Sequence, residues 1–320
     1  MYSLVEMLRY KRPQGSETQK EFCERFLEPV FGKPDEHGNF VLQIGNKPHI
    51  CFTAHHDTVH RTDGMQKIII HNNIVAVADS KSSNCLGADC TTGIYIIMCM
   101  IEAGIEGTYV IHAAEEVGCK GSRALVQDYP MWLSYTKAVI SFDRYGDNSV
   151  ITHQTGMRTA SDAFAKSFAD ALNMPQLKPD STGVYTDSNE YASIVSECTN
   201  ISVGYYGQHG VNETQDLEYL DLLVAQLEMA DWSKLVFERD PNEIEDLYSW
   251  FDDRPVKQVG LRASDDDAEY ILAIVREHPE AIAEMLSNYG FSPYDLLEEC
   301  RIDNYYYNSY MDNYARRKYQ

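Results

Sequence analysis

The chain has 320 residues, 44% of them hydrophobic and 24% charged, the balance of a globular protein long enough for one large α/β domain and an appendage. Asp and Glu number 49 against 27 Lys and Arg, a formal net charge of −22. Such a surface repels phosphate backbones and anionic headgroups, which excludes nucleic acid and membranes as main partners, yet carboxylates remain good ligands for divalent cations.

The opening, Met1 to Tyr10, reads as helical and stops at Pro13-Gln14-Gly15-Ser16. Glu6, Arg9, Lys11 and Arg12 stand where a signal peptide needs an apolar stretch, so no export signal is expected. Ser16 is placed to cap a second helix through Phe22, Phe26 and Leu27. From residue 39 the period becomes extended. Asn39–Ile44 and His49–Ala54 are predicted strands, and Lys67–His71 with Ile74–Ala78 a hairpin turning at Asn72-Asn73. Thr91–Ile105 is apolar on nearly every face, a helix buried against a sheet. Its longest apolar run, Ile94 to Ile101, falls far short of the roughly 20 residues of a membrane span.

Further along, Thr108–His112, Ala138–Phe142 and Thr199–Val203 are predicted strands, and Ser122–Gln127, Ser161–Leu172 and Leu217–Val236 helices. This alternation predicts a three-layer α/β/α sandwich over residues 1–236, around a mixed, mostly parallel central sheet. The composition then shifts. From Glu238 onward there are 19 acidic residues against 9 basic ones, and 10 of the 22 tyrosines. Residues 237–320 are expected to form a mainly helical, acidic, Tyr-rich extension that either limits substrate length or serves stability and assembly. Eight cysteines with no CxxC pair point to reduced thiols and a cytoplasmic protein.

Five short pieces carry chemistry, at or just after strand ends. In Ala54-His55-His56-Asp57 the alternation of a strand points His55 and Asp57 the same way, so Asp57 can orient the His55 ring, while His56 points oppositely. Gly87-Ala88-Asp89-Cys90 presents one carboxylate before the buried helix. Glu115-Glu116 offers two adjacent carboxylates, Asp143 follows the strand 138–142, and His209 sits in the glycine-containing loop Gly207-Gln208-His209-Gly210. Any one of these alone reads more readily as a cap or a solvated side chain. Their joint order is more informative, because strand ends of an α/β sheet converge on one edge.

That ordered set resembles the two-zinc exopeptidases of metallopeptidase clan MH: leucyl aminopeptidase-like enzymes, peptidase T-like tripeptidases and glutamate carboxypeptidase-like relatives. The Gly-Ala-Asp loop and the Glu-Glu pair look closest to the aminopeptidase and tripeptidase branches, and the resemblance covers roughly residues 1–235. It implies a zinc-exopeptidase-like fold with two Zn²⁺ ions, Co²⁺ and Mn²⁺ being alternatives. His55, Asp89 and Asp143 would hold one ion, and Asp89, Glu116 and His209 the other, with Asp89 bridging. Glu115 would be the general base and Asp57 a supporting catalytic residue. The chemistry asks for these types: two ions roughly 3.5–4 Å apart activate a shared water, and a carboxylate that binds neither takes its proton.

Departures from the family pattern bear on the details. Cys90 follows the bridging Asp, where many relatives have a second Asp; with Cys119 it reads as a small buried thiol, since the ligand set is complete without it. Between His55 and Asp89 lie 33 residues, and between Asp143 and His209 lie 65 that predicted elements already fill. An inserted lid domain of at least ~50 residues has no room. Tyr205, Tyr206, Thr186-Asp187-Ser188, His153 and Arg158 are second-rank candidates for substrate contact. The expected function is hydrolysis of a terminal bond in a short peptide, by an aminopeptidase or a di- or tripeptidase. Deacylation of an acyl amino acid on the same site, or peptide binding on a non-catalytic scaffold, are the alternatives. The oligomeric state is left open.

Overall fold

The computed structural model describes residues 3–242, together with positions 275, 276, 279 and 282. Two compact units follow one another along the chain, Met1–Phe251 and Asp252–Gln320. The expected helical extension lies, but for those positions and its first residues to 242, outside the described residues.

Seven strands form the central sheet: β1 (Phe40–Ile44), β2 (Ile50–His55), β3 (Gly107–His112), β4 (Ala138–Arg144), β5 (Ser149–Ile151), β6 (Lys178–Asp180) and β7 (Glu197–Ser202). Their order is β6-β5-β7-β4-β2-β3-β1. β7, β4, β2 and β3 run parallel side by side, β1 joins antiparallel at one edge, and β5 meets β7 antiparallel while pairing parallel with β6. The sheet is therefore mixed and mostly parallel, as the alternation of strands and helices predicts.

The middle strands are buried along their whole length, as expected where helices cover both faces. Alternation then sorts their side chains. Phe52, Tyr109, Ile111, Ile140 and Phe142 enter the larger core, with α1 (Glu17–Phe22), α2 (Ala88–Glu102), α4 (Asp162–Ala171) and α5 (Leu217–Glu228). Cys51, Val110, Val139 and Cys198 face a smaller cluster with Leu125 of α3 (Lys120–Asp128), Trp132 and Tyr191. Helices on two faces of one sheet make the three-layer α/β/α sandwich.

The Ser16 hydroxyl caps its helix as the sequence predicts, accepting from the Gln19 N–H, and the Ser161 hydroxyl, read from sequence only as the first residue of a helix, caps another by accepting from that of Phe164. α1 continues through a π-helical turn, Cys23–Leu27, into a last turn, Glu28–Phe31. Pro29 offers no N–H there and its ring crowds the preceding turn.

Two elements differ from expectation. The opening helix is only Leu4–Met7, because Tyr10–Lys11 pairs as a short strand with Gly64–Met65. The long helix expected over 217–236 ends at Glu228; the Asp231 side chain then accepts from the Ser233 N–H and opens a 3₁₀ turn, Trp232–Lys234.

A second, antiparallel sheet carries part of the site. Its order is Tyr205–Tyr206, Thr214–Asp216, Ile74–Val77, Ile68–His71. Asn72 and Asn73 turn the predicted hairpin with φ of 49° and 63°, the left-handed pair of a type I′ turn. His209 lies in the loop between the first two of these strands. Among the described residues no helix is long and apolar enough to cross a membrane, and seven of the cysteines are described, all free and buried.

Candidate metal centre

β2, β3 and β4 are parallel neighbours, so their C-terminal ends meet at one edge. His55 closes β2, Glu115 and Glu116 follow β3, and Asp143 lies near the end of β4. Asp89 reaches the same edge because the first turn of α2 is broken: Asp89 has φ −45°, ψ 114° and Cys90 has φ 64°. The helix proper is pressed to the sheet at Gly93, where a Cβ would overlap the Phe142 carbonyl oxygen. Ala114, Cys119 and His209 also have positive φ, at 59°, 52° and 60°. Backbone held in this region is typically over-determined by its surroundings and concentrates at functional sites.

The five expected ligands and Glu115 come together. His55 Nε2 lies 3.2 Å from Asp89 Oδ1, 3.6 Å from Asp143 Oδ1 and 3.8 Å from Glu115 Oε2. His209 Nε2 lies 2.8 Å from Asp89 Oδ2 and 3.6 Å from Glu116 Oε2. Asp89 thus turns one oxygen to each imidazole. His55 Nδ1–H faces the Asp57 carbonyl oxygen at 3.2 Å and its carboxylate at 3.4 Å, leaving Nε2 for the cluster. The Asp57 carboxylate also accepts the Glu115 and Glu116 N–H groups, both at 3.1 Å, so one buried side chain aims three functional residues. His56 points away, to Gln19 and the Gly38 carbonyl.

Electrostatics argue for a cation here. Asp57, Asp89, Glu115, Glu116, Asp143 and Asp187 crowd six carboxylates around two imidazoles. Burial, with repulsion from neighbouring carboxylates, pushes Glu115 and Glu116 well above the usual range and Asp143 up to about 6. Asp89 is held well below its ordinary value, burial being outweighed by the two imidazoles, and His209 is raised, chiefly by Asp89 against its own burial. His55 Nε2, Asp89 Oδ1 and Asp143 Oδ1 are buried with no hydrogen-bond partner. Unpaired buried polar atoms are costly. Three converging on one point, from an imidazole and two carboxylates, suit a divalent metal ion.

The second-rank residues fall into separate roles. Thr186 donates to Asp143 Oδ2 at 2.8 Å, and Tyr205, buried, donates to the Asp143 carbonyl at 3.0 Å. Both hold a candidate ligand in place. Tyr206 is exposed. Asp187 accepts from Ser122 at 2.6 Å and is pushed by burial to about 8, while Ser188 bonds Gln154. Arg158 pairs with Asp162, and His153 Nδ1 meets the Thr152 hydroxyl. Cys90 accepts from the His55 N–H, and Cys119 Sγ lies 3.6 Å from Glu115 Oε1.

Sequence reasoning missed residues that grip the Asp89 loop. The buried Arg12 donates from Nη2 to the Thr91 hydroxyl at 2.7 Å and covers the Phe22 ring at 3.9 Å. Thr92 donates to Gln215 at 2.6 Å, and the Glu213 carboxylate accepts from Leu86, Gly87, Ala88 and Asp89. An acceptor for backbone N–H groups leaves no periodicity or spacing to read.

No model of a known protein family matches the sequence, nor does any curated protein. Solved structures do match. A tripeptidase from Staphylococcus aureus subsp. aureus Mu50 superposes with a TM-score of 0.57 at 14% identity, over 72% of this chain and 96% of its own. For the TET1 peptidase of Pyrococcus horikoshii the values are 0.55, 16%, 71% and 98%. For the aminopeptidase PepT of Bacillus cereus ATCC 10987 they are 0.53, 15%, 71% and 96%. At such identities the likeness is one of fold: the chain has the α/β/α fold of the PepT and TET peptidases.

Proposed function

We propose that the chain is a metal-dependent exopeptidase that cleaves the terminal bond of short peptides, an aminopeptidase or tripeptidase in specificity. The observation that carries this reading is Asp89, set between two imidazoles with one oxygen toward each, its own Oδ1 together with His55 Nε2 and Asp143 Oδ1 being buried without hydrogen-bond partners. The fold shared with a tripeptidase and an aminopeptidase supports it. In this reading His55, Asp89 and Asp143 hold one zinc ion, and Asp89, Glu116 and His209 the other. Two such ions supply Lewis acidity toward a water and charge compensation for the developing oxyanion.

The chain's own groups do the rest. Asp57 holds the His55 proton on Nδ1 and keeps Nε2 free as a donor atom. Glu115, aimed by the Asp57–N–H bond and raised in pKa by burial, takes a proton from the attacking water and passes it to the leaving amine. The test is metal analysis of the full-length protein, with a panel of free-amino-terminal, amino-blocked and acyl-amino-acid substrates, with and without chelator. Two ions per chain and chelator-sensitive cleavage of free-amino-terminal peptides are expected. At most one ion under saturating zinc would remove the two-metal reading, and turnover of acyl amino acids alone would move the function to deacylation.

A further inference from the structure

Both oxygens of Glu213 are spent on the backbone of the loop that presents Asp89. Oε2 accepts from Leu86 and Gly87 at 2.8 and 2.9 Å, and Oε1 from Ala88 and Asp89 at 3.0 and 3.1 Å. The N–H groups of Ala88 and Asp89, at the start of α2, have no helical partner, those of Leu86 and Gly87 lie just before the helix, and all four residues are buried. Glu213, 1% exposed, is the single side chain that satisfies all four. It also belongs to the other half of the site. It stands four residues after His209, in a loop closed by bonds from the Gly210 N–H to the Gly207 carbonyl and from the Glu213 N–H to the Gly210 carbonyl. The loops of Asp89 and His209 therefore meet twice, once through Glu213 and once through the 2.8 Å contact between His209 and Asp89.

Resting on the two-metal reading above, we propose that Glu213 is a positioning residue whose carboxylate locks the Asp89 loop to the His209 loop and so sets the spacing of the ligands to the shared ion pair. A carboxylate is required for geometric reasons. Four donors converge on two oxygens, and an amide would place its own two hydrogens against two of them. Residues behind metal ligands typically alter metal affinity or activity by about 10–100-fold when changed.

A control exists in the same molecule. Glu197, also buried, accepts from the Ser161, Glu238 and Arg239 N–H groups at the start of β7, the end of the strand opposite the ligands. The experiment compares full-length wild type, Glu213→Gln and Glu197→Gln. It reads zinc affinity by chelator competition, the visible spectrum of the Co²⁺-loaded protein, and kcat and KM across added zinc. Glu213→Gln should bind the ion of Asp89, Glu116 and His209 about 10–100-fold more weakly. Its Co²⁺ spectrum should change, and kcat should fall at low zinc and recover with excess, with KM little altered. Glu197→Gln should lower Tm and leave zinc affinity and spectrum as in wild type. Should Glu213→Gln not accumulate folded, Glu213→Asp, which keeps the charge and shortens the reach, is measured the same way with the same expectation. Wild-type affinity and spectrum in the Glu213 variant, with only Tm reduced, would overturn the proposal. Wild type that binds no zinc would instead overturn the two-metal reading, before any variant is compared.

Discussion

Glu115 Oε2 lies 3.8 Å from the His55 ring and Glu116 Oε2 lies 3.6 Å from the His209 ring, so two adjacent carboxylates lie beside different imidazoles. Glu115→Gln keeps the shape and should keep both ions, while kcat falls about 10²–10⁴-fold with KM little changed. Glu116→Gln exchanges a charged ligand for a neutral one and should lose one ion first, with activity partly restored by excess zinc. Metal content and kcat measured on both variants decide it; the reverse pattern would exchange the two roles. Asp57→Asn tests the residue behind them. An amide cannot accept from Glu115 N–H, Glu116 N–H and His55 at once, so zinc affinity should drop by about 10–100-fold. Unchanged affinity would make Asp57 a packing residue only.

At the level of elements, α2 is the critical piece, because it carries Asp89 at its broken start and rests on β4 through Gly93. Gly93→Ala would drive a methyl group into the Phe142 carbonyl, displacing helix or strand at the residue before Asp143. Overpacking of this kind costs about 1–3 kcal/mol, and each kcal/mol lowers Tm by roughly 2–4 °C in a domain of this size. A thermal melt with unchanged Tm would show that the helix can lift without penalty. By contrast, Ser161→Ala removes one cap bond to Phe164 and a bond to Glu197, at the end of the sheet opposite the candidate ligands. It should cost about 1 kcal/mol and leave zinc binding unaltered. The Ser16 cap and the Asn-Asn turn were legible because capping and left-handed φ depend on neighbouring residues alone. The early stop of α5 was not, since an apolar period ran on past Glu228 while the chain turned at Asp231.

Across the whole molecule, buried carboxylates make metal-free stability depend on pH. Asp143, Glu213 and Asp187 have folded pKa values raised to about 6, 7 and 8, with burial as the main cause. Above the ordinary carboxylate range, the unfolded chain has released protons that the native state still holds. The unfolded state then binds fewer protons, so stability falls as pH rises, from about pH 4 to about pH 8. Asp57 and Asp89, whose values are lowered, act with opposite sign: their contribution is lost as pH falls through and below the ordinary 3.8. Zinc held as proposed would offset the carboxylate charge and bind the native state. Its stabilisation should therefore be larger near about pH 7.5 than near about pH 5, read as the rise in Tm on adding zinc. Equal rises at both would detach stability from the cluster. The end of the described chain is also held. Arg239 donates to the carbonyls of Arg158, Ala192, Val195 and Ser196, and Phe237 packs on the core. A chain ending at Val236 should melt lower than one ending at residue 242; equal melting of the two would make these contacts idle.

The sequence by itself determined the alternation of strands and helices, the Ser16 cap, the hairpin turn, and the residue types offered as candidate ligands. Each of these follows from periodicity, local hydrogen bonding or side-chain type, which are properties of short stretches. Tertiary structure alone decided that Asp89 shows one oxygen to each imidazole, that Asp57 reaches both glutamate N–H groups, and that Thr186 and Tyr205 brace Asp143. It also decided that Glu213 fills a helix start 124 residues earlier in the chain. Such contacts arise because parallel strands bring distant loops to one edge of a sheet, and the loops that meet there are satisfied by whichever buried acceptor is in reach, a condition with no counterpart in the order of residues.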